Sequence, residues 1–243
     1  MRISLSKFPI NARRTSGAGG PALAVSSGAI HWADPREGHY NDLSGSGHTV
    51  TLHGASTPTI DPDGIAPGLA GLTLNGTDQY VTSDAGADLA GIRKEYTFSG
   101  IYEGGARGDC YFSTMNSTVT SLNQNGYCIW KGSADTFRNH RGGTIVESGT
   151  PTTSPVHMVW KYWLDGATLK LDMFQDGVKV INGSTSNSGG DFATDCLGIG
   201  VICDLTPSSW WAGNVGETIL YNRALSDAEI ADIYAKAQTD WGV

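Results

Sequence analysis

Asn214-Val215-Gly216-Glu217-Thr218-Ile219-Leu220-Tyr221-Asn222-Arg223-Ala224-Leu225-Ser226-Asp227-Ala228-Glu229-Ile230 reads as a strand, a tight corner and a capped helix within one short stretch. Thr218 to Tyr221 are β-branched, aliphatic and aromatic, the side chains that suit a pleated, half-buried surface. Ser226 followed by Glu229 is the spacing of a capping box, in which hydroxyl and carboxylate each take a backbone N–H that the first helical turn leaves unpaired. Leu225 and Ile230 stand where a hydrophobic staple would close. Ile230, Ile233, Tyr234 and Ala237 then recur at the spacing of one helix face.

Upstream, the chain has the punctuation of an all-β protein. Glycine supplies 33 of 243 residues and charged side chains only 16%, a balance that favours many strands over a helical bundle. Six dipeptides, Asp63-Gly64, Asn75-Gly76, Asn125-Gly126, Asp165-Gly166, Asp176-Gly177 and Asn182-Gly183, carry the chemistry of hairpin turns. Between them lie short runs with strand chemistry. In Thr168–Gln175, Leu169, Leu171 and Met173 alternate with polar residues, a strand with one wet face. Val156–Leu164 is aromatic-rich, and Leu197–Ile202 is apolar. Strands at this spacing predict a sandwich or barrel, with the C-terminal helix as a cover over a sheet end. Trp32, Trp130, Trp160 and Trp163 are expected in the core, since they sit in apolar strands.

The net charge of −8 argues against general nucleic-acid binding, which needs Lys and Arg on phosphates. The charge is uneven: Arg2, Lys7, Arg13 and Arg14 give the first 33 residues +4 and leave −12 on the rest. Residues 1–27 are therefore read as a basic arm and residues 28–243 as one β domain. The start lacks the apolar run of an export signal, and no segment reaches the ~20 apolar residues of a membrane span. Cys110, Cys128, Cys196 and Cys203 contain no CxxC pair. An extended 196–203 segment would hold its two cysteines about 23 Å apart, too far to bond. Reduced, half-buried thiols are expected, although Cys110 and Cys128 could face each other across a hairpin.

Six blocks, in order, resemble one family. They are Ala29–Asp34; Asn41–Gly54 with Asp42, Ser44, Gly45, Gly47 and His48; Leu72–Val81; Tyr96–Tyr102; the His157–Asp176 meander; and Tyr221-Asn222-Arg223-Ala224-Leu225-Ser226 with Glu229-Ile230. Together they are similar to the laminin-G-like family of the concanavalin A-like lectin and glucanase superfamily. The resemblance implies an all-β jelly-roll sandwich of two antiparallel sheets with a short C-terminal helix. It also implies a mostly non-catalytic module that binds glycans or proteins, often with calcium, and that occurs in adhesins and phage structural proteins. One departure matters: where the family has an acidic pair before the last strand, this chain has Asn214-Val215-Gly216-Glu217, which weakens an inherited calcium site there.

Candidate chemistry is sparse. Paired carboxylates at alternate strand positions, which a glycosidase would use, do not occur on any predicted strand. In Phe137-Arg138-Asn139-His140-Arg141, Arg138 and His140 would share one side of a strand. With Tyr127 they could neutralise and deprotonate an acidic sugar, although a polar outer face is the plainer reading. Trp210 and Trp211 follow a loop-like stretch and are the best sugar platform. Adjacent strand residues face opposite ways, so one of them is expected to be core. Asp191, Asp195 and Asp204, with Asp61 and Asp63, are the weak candidates for calcium, which needs six to eight oxygens. The sequence thus predicts a binding and display module on a virion surface, a capsid decoration or tail-associated adhesin. In this reading the arm docks on an acidic capsid or tail protein, with a glycan as further partner. An extracellular adhesin is the alternative location, a lyase or hydrolase acting on acidic glycans the alternative activity, and self-association is left open.

Overall fold

A computed structural model describes residues 22–89, 95–105, 109–115, 127–131, 137–141, 144–148, 155–185, 194–203 and 207–243; for 115, 127, 130, 131, 137–141, 144–148 and 185 it describes the backbone. The strands are β1 (Ala29–Ala33), β2 (Val50–His53), β3 (Thr59–Ala66), β4 (Leu69–Asn75), β5 (Tyr80–Ser83), β6 (Tyr96–Gly104), β7 (Cys110–Met115), β8 (Tyr127–Lys131), β9 (Phe137–Arg141), β10 (Thr144–Ser148), β11 (Val156–Asp165), β12 (Thr168–Gln175), β13 (Val178–Thr185), β14 (Cys196–Ile199) and β15 (Ala212–Tyr221). One helix, α1 (Asp227–Trp241), follows. An eight-stranded antiparallel sheet runs β13-β12-β11-β6-β15-β4-β3, with β1 also on β15; a seven-stranded one runs β10-β9-β8-β7-β14-β5-β2. The chain is a jelly-roll sandwich of two antiparallel sheets, as the sequence predicts.

Period-two alternation builds the core between the sheets. From the larger sheet come Phe98, Tyr102, Trp160 and Leu171; from the smaller come Tyr111, Phe112, Ile129 and Leu197. Phe98 stacks on Phe112 at 4.1 Å between ring centres, and Tyr102 meets Tyr111 edge-on at 5.0 Å. The alternate residues of the larger sheet, Val159, Phe174, Ile219 and Tyr221, form a second cluster with Ile230 and Ile233 of α1. The helix therefore lies on the sheet's outer face. Leu23 and Val25 join this cluster, so packed chain begins ahead of residue 28.

The terminal motif forms as its sequence suggests. Ser226 Oγ accepts from Glu229 N, and Glu229 Oε2 accepts from Ser226 N at 2.8 Å. Arg223 clasps the same carboxylate at 2.6 and 3.1 Å, which with the cap holds Glu229 down at about 2. Glu217, the remaining acid of the expected pair, is buried and accepts from Trp32 Nε1 at 2.8 Å. Burial and Asp34 raise its pKa. That carboxylate serves a structural bond to β1.

Several expectations are corrected. Asp63-Gly64 and Asn182-Gly183 lie inside β3 and β13, at register shifts rather than hairpin turns. Trp32 is in the core as expected, within the cluster shared with α1. Trp163 alternates onto the outer face and is half-buried. Trp130 pairs in register with Cys110, in the outer row of the smaller sheet. The 196–203 segment is not extended: β14 stops at Ile199, and the chain reverses at Gly200, whose φ is +72°. Cys203 Sγ thereby reaches Cys196 O at 3.5 Å. All four cysteines are buried and none forms a disulfide.

Candidate ligand-binding cleft

The outer face of the seven-stranded sheet carries a functional candidate that the geometry of the described residues supports. Cross-strand pairing aligns His140, Cys128, Ser113, Gly198, Thr82 and Thr51 in a single row across β9, β8, β7, β14, β5 and β2. Above the middle of this row folds the 200–203 and 207–211 turn. Val201, Ile202 and Cys203 pack on Cys110, Cys128 and Cys196. Ser113 Oγ donates to Val201 O at 2.8 Å and accepts from Cys203 N at 3.0 Å. Gly198 makes this possible: a Cβ there would sit 2.8 Å from both Cys203 Cβ and Ser113 Oγ.

To one side of the turn, over β14, β5 and β2, lies a cleft of ≈ 540 Å³. Its walls include Thr51, His53, Tyr80, Thr82, Asp84 and Asp195, with Cys196, Cys203 and Pro207 on the side of the turn. The His53 and Tyr80 rings stack at 4.4 Å and 6°, and His53 Nε2 bonds Thr82 Oγ1 at 2.8 Å. Burial lowers the His53 pKa, which keeps the ring neutral at pH 7. Burial also raises Tyr80.

Local sequence fixes these walls. Asp42 accepts from the N–H groups of Trp32, Ser44 and His48, which closes the loop before β2. The His48 ring bridges Asp84 at 2.9 Å and Asp88 at 3.3 Å, and Thr49 N donates to Asp84 Oδ1 at 2.9 Å. The Asp42–His48 motif therefore clamps the start of β2 to the end of β5. At the other end, Asn75 Oδ1 accepts from Thr77, Asp78 and Gln79 N–H groups, and Gln79 Nε2 reaches Ser56 O at 3.0 Å.

The Cys196 thiol beside the cleft and the Cys110 thiol under the turn are not poised for catalytic chemistry. The bond with Cys203, then burial, push the Cys196 thiol far up, and burial does the same to Cys110, whereas a nucleophilic cysteine needs a depressed pKa. A Ser–His pair does occur elsewhere: Ser99 Oγ and His157 Nε2 are 2.9 Å apart. Both are about 2% exposed beneath Tyr234 of α1, and His157 Nδ1 has no partner. Without access or an orienting acid, the pair lacks the arrangement that activates a serine.

The residues singled out from sequence are dispersed. Trp211 is 1% exposed, packed on Tyr102 and Tyr111; it is the core member of its pair and not a ligand platform. Trp210 is half-buried against the cysteine cluster and does not line the cleft. Arg138 and His140 hold outer-row register positions on β9, with residues 200–203 and 207–211 between them and the cleft. Tyr127 pairs with Thr114, whose row continues through Leu197, Ser83 and Val50 on the core side. The three therefore do not share a face, because Tyr127 is an odd number of positions from the row of Cys128. Asp195 lines the cleft. Asp191, Asp204 and the arm residues Arg2, Lys7, Arg13 and Arg14 lie outside the described residues. No group of three or more His, Cys, Asp or Glu able to hold a metal occurs among the described residues.

Thr51, His53, Tyr80, Thr82 and Asp84 were not singled out from sequence. Their signal is the alternation of Val50 and Leu52 with Thr51 and His53, and of Val81 and Ser83 with Tyr80 and Thr82.

No protein-family model matches the sequence, and no curated protein does. Solved structures do match in fold. Domain 4 of the extracellular arabinanase AbnA from Geobacillus stearothermophilus, solved with arabinotriose, is 13% identical, with a TM-score of 0.59 over 85% of this chain and 98% of that one. A botulinum neurotoxin type C structure, whose cell entry depends on two ganglioside molecules, is 13% identical, with a TM-score of 0.61 over 88% of this chain and 52% of that one. Trypanosoma rangeli sialidase in complex with sialic acid is 13% identical, with a TM-score of 0.61 over 90% of this chain and 34% of that one. This chain thus shares the jelly-roll sandwich of carbohydrate-binding and receptor-binding domains.

Proposed function

We propose that the protein is a non-catalytic carbohydrate-binding module that holds a glycan in the cleft over β14, β5 and β2. The observation that carries this reading is the combination within the cleft: the stacked His53–Tyr80 rings beside the hydroxyls of Thr51 and Thr82. Aromatic surface takes the C–H faces of a sugar, and fixed hydroxyls order its OH groups, the usual division between apolar walls and a few placed polar groups. The volume of ≈ 540 Å³ suits an oligosaccharide segment. Titration calorimetry against glycans chosen from an array tests it. Tyr80→Ala is expected to weaken binding at least about tenfold, the loss of one well-packed aromatic contact. An Arg138→Ala, His140→Ala variant is expected to bind as the parent does. The reverse pattern would move the site to β9.

Within this reading, the laminin-G-like blocks and the basic arm support a finer assignment: a display module on a virion surface, anchored through Arg2, Lys7, Arg13 and Arg14 to an acidic capsid or tail protein. Deleting residues 1–20 is then expected to abolish incorporation into particles while glycan affinity is kept. Unchanged incorporation would remove the assembly role alone.

A further inference from the structure

We propose that Cys196 and Cys203 form a redox pair: a small disulfide oxidant entering the cleft joins them in a bond that ties the turn to β14 and so fixes one wall of the cleft. The inference concerns that wall alone and holds whatever ligand the cleft takes.

The reversal at Gly200 brings the two residues together on the outer face of the seven-stranded sheet. Cys196 and Gly198 are two positions apart on β14 and share a face. Cys203 stands directly over Gly198: a Cβ there would lie 2.8 Å from Cys203 Cβ and 3.0 Å from its Sγ. From this position Cys203 Sγ donates to Cys196 O at 3.5 Å, and the two thiols share a hydrogen bond. The missing side chain at position 198 is what lets the two thiols meet.

The other cysteines are placed differently. Cys110 and Cys128 belong to the same cluster but are 0% exposed, and neither lines the cleft. Cys110 Sγ donates instead to Phe112 O at 3.2 Å. Cys196 and Cys203, 8% and 3% exposed, both line the cleft. A reagent small enough to enter therefore reaches this pair ahead of the others.

The chemistry is thiol–disulfide exchange. Cys203 gives its proton to solvent, and its thiolate attacks one sulfur of the reagent. Half of the reagent leaves as a thiolate that takes up a proton, and a mixed disulfide remains. Cys196 then loses its proton and attacks Cys203 Sγ, and the second half leaves in the same way. The protein is oxidised by two electrons and the reagent is reduced to two thiols. The raised pKa of Cys196 keeps its thiolate scarce, so closure is slow at neutral pH and quickens as pH rises. Otherwise the turn is held to the sheet by hydrogen bonds: through Ser113, through Gly200 N on Tyr111 O at 3.0 Å, and through Cys110 N on Ser209 O at 2.8 Å. A covalent tie adds a hold that does not open with them.

The test treats the full folded chain with 2-hydroxyethyl disulfide at about pH 8.5, where exchange is faster, blocks the remaining thiols and maps the products by mass spectrometry without reduction. The parent is expected to lose two hydrogens, with the bond between Cys196 and Cys203, and to leave Cys110 and Cys128 unmodified until the chain is unfolded. The oxidised form should melt about 5 °C above the reduced form, the order expected for closing a short loop, and a reductant should reverse the shift. Cys196→Ala should stop at the mixed disulfide on Cys203 and show no such rise. A bond that includes Cys110 or Cys128, a mixed disulfide that persists in the parent, no reaction of the folded chain, or an unchanged melting point would each overturn the proposal. None of these outcomes bears on the glycan reading, which calorimetry tests separately.

Discussion

His157 should make the fold lose stability as the pH falls through the range in which an ordinary histidine titrates. The ring is buried between Ser99, which it meets at 2.9 Å, and Tyr234 of α1, with Asp176 Oδ1 on its backbone N–H. Burial pulls its pKa from 6.5 to about 4. The unfolded chain therefore binds a proton below about pH 6.5 that the folded chain refuses until about pH 4. Stability is full above that window and is lost as pH falls through it. At about 1.4 kcal/mol per tenfold in proton affinity, the whole span is worth about 3 kcal/mol. Between pH 7 and pH 5 the loss is about 2 kcal/mol. His31, also lowered to about 4 by burial, adds a similar loss, while the raised pKa values of Glu217 and Asp176 act in the opposite direction. His157→Phe isolates the one contribution: it keeps a ring against Tyr234, and any pH-independent cost of losing the Ser99 bond cancels between the two pH values. Urea unfolding followed by tryptophan fluorescence at pH 7 and pH 5 should show the parent losing about 2 kcal/mol more than the variant. Equal losses would refute the reasoning, because they would mean that the buried imidazole takes up its proton without unfolding.

Two further perturbations probe how α1 is held. Ser226→Ala removes the acceptor for Glu229 N–H and should cost about 1 kcal/mol in urea unfolding, with glycan affinity unchanged. Asp172→Ala leaves Lys161, 8% exposed, with Asp227 as its remaining ion-pair partner; a loss of about 3 kcal/mol is expected, larger than for the exposed Asp227→Ala, and thermal unfolding of the two variants compares them directly.

The fold was legible because its signals are local. The capping box Ser226–Glu229, the alternation of Leu169, Leu171 and Met173, and the Asp165-Gly166 and Asp176-Gly177 turns each state their structure within a few residues. Asp63-Gly64 and Asn182-Gly183 misled for a physical reason: Asp-Gly and Asn-Gly permit a bulge as readily as a turn, and the neighbouring strand decides between them. In β13, Asp172 of β12 accepts from Gly183 N at 2.7 Å and holds the irregularity within the strand. The cleft was less legible because it is built by long-range packing. Cys196 and Cys203 meet because the chain reverses at Gly200, the second of two glycines in an apolar run that read as a continuous strand. Likewise, the use of Asp42 and His48 as a clamp on Asp84 depends on a partner 36 positions away from His48. One tryptophan of the Trp210-Trp211 pair is core, as expected, but both lie in the turn ahead of β15 rather than on a strand, and alternation could not say that Trp210 would be taken up by the cysteine cluster.

Backbone amide NMR during titration with a glycan that binds on the array tests the glycan cleft most directly. The account predicts that the largest shift changes fall on Thr51, His53, Tyr80, Thr82 and Asp84, and that Arg138, His140 and Trp210 stay unmoved. Changes centred on β9 or on Trp210, with β2 and β5 silent, would contradict it.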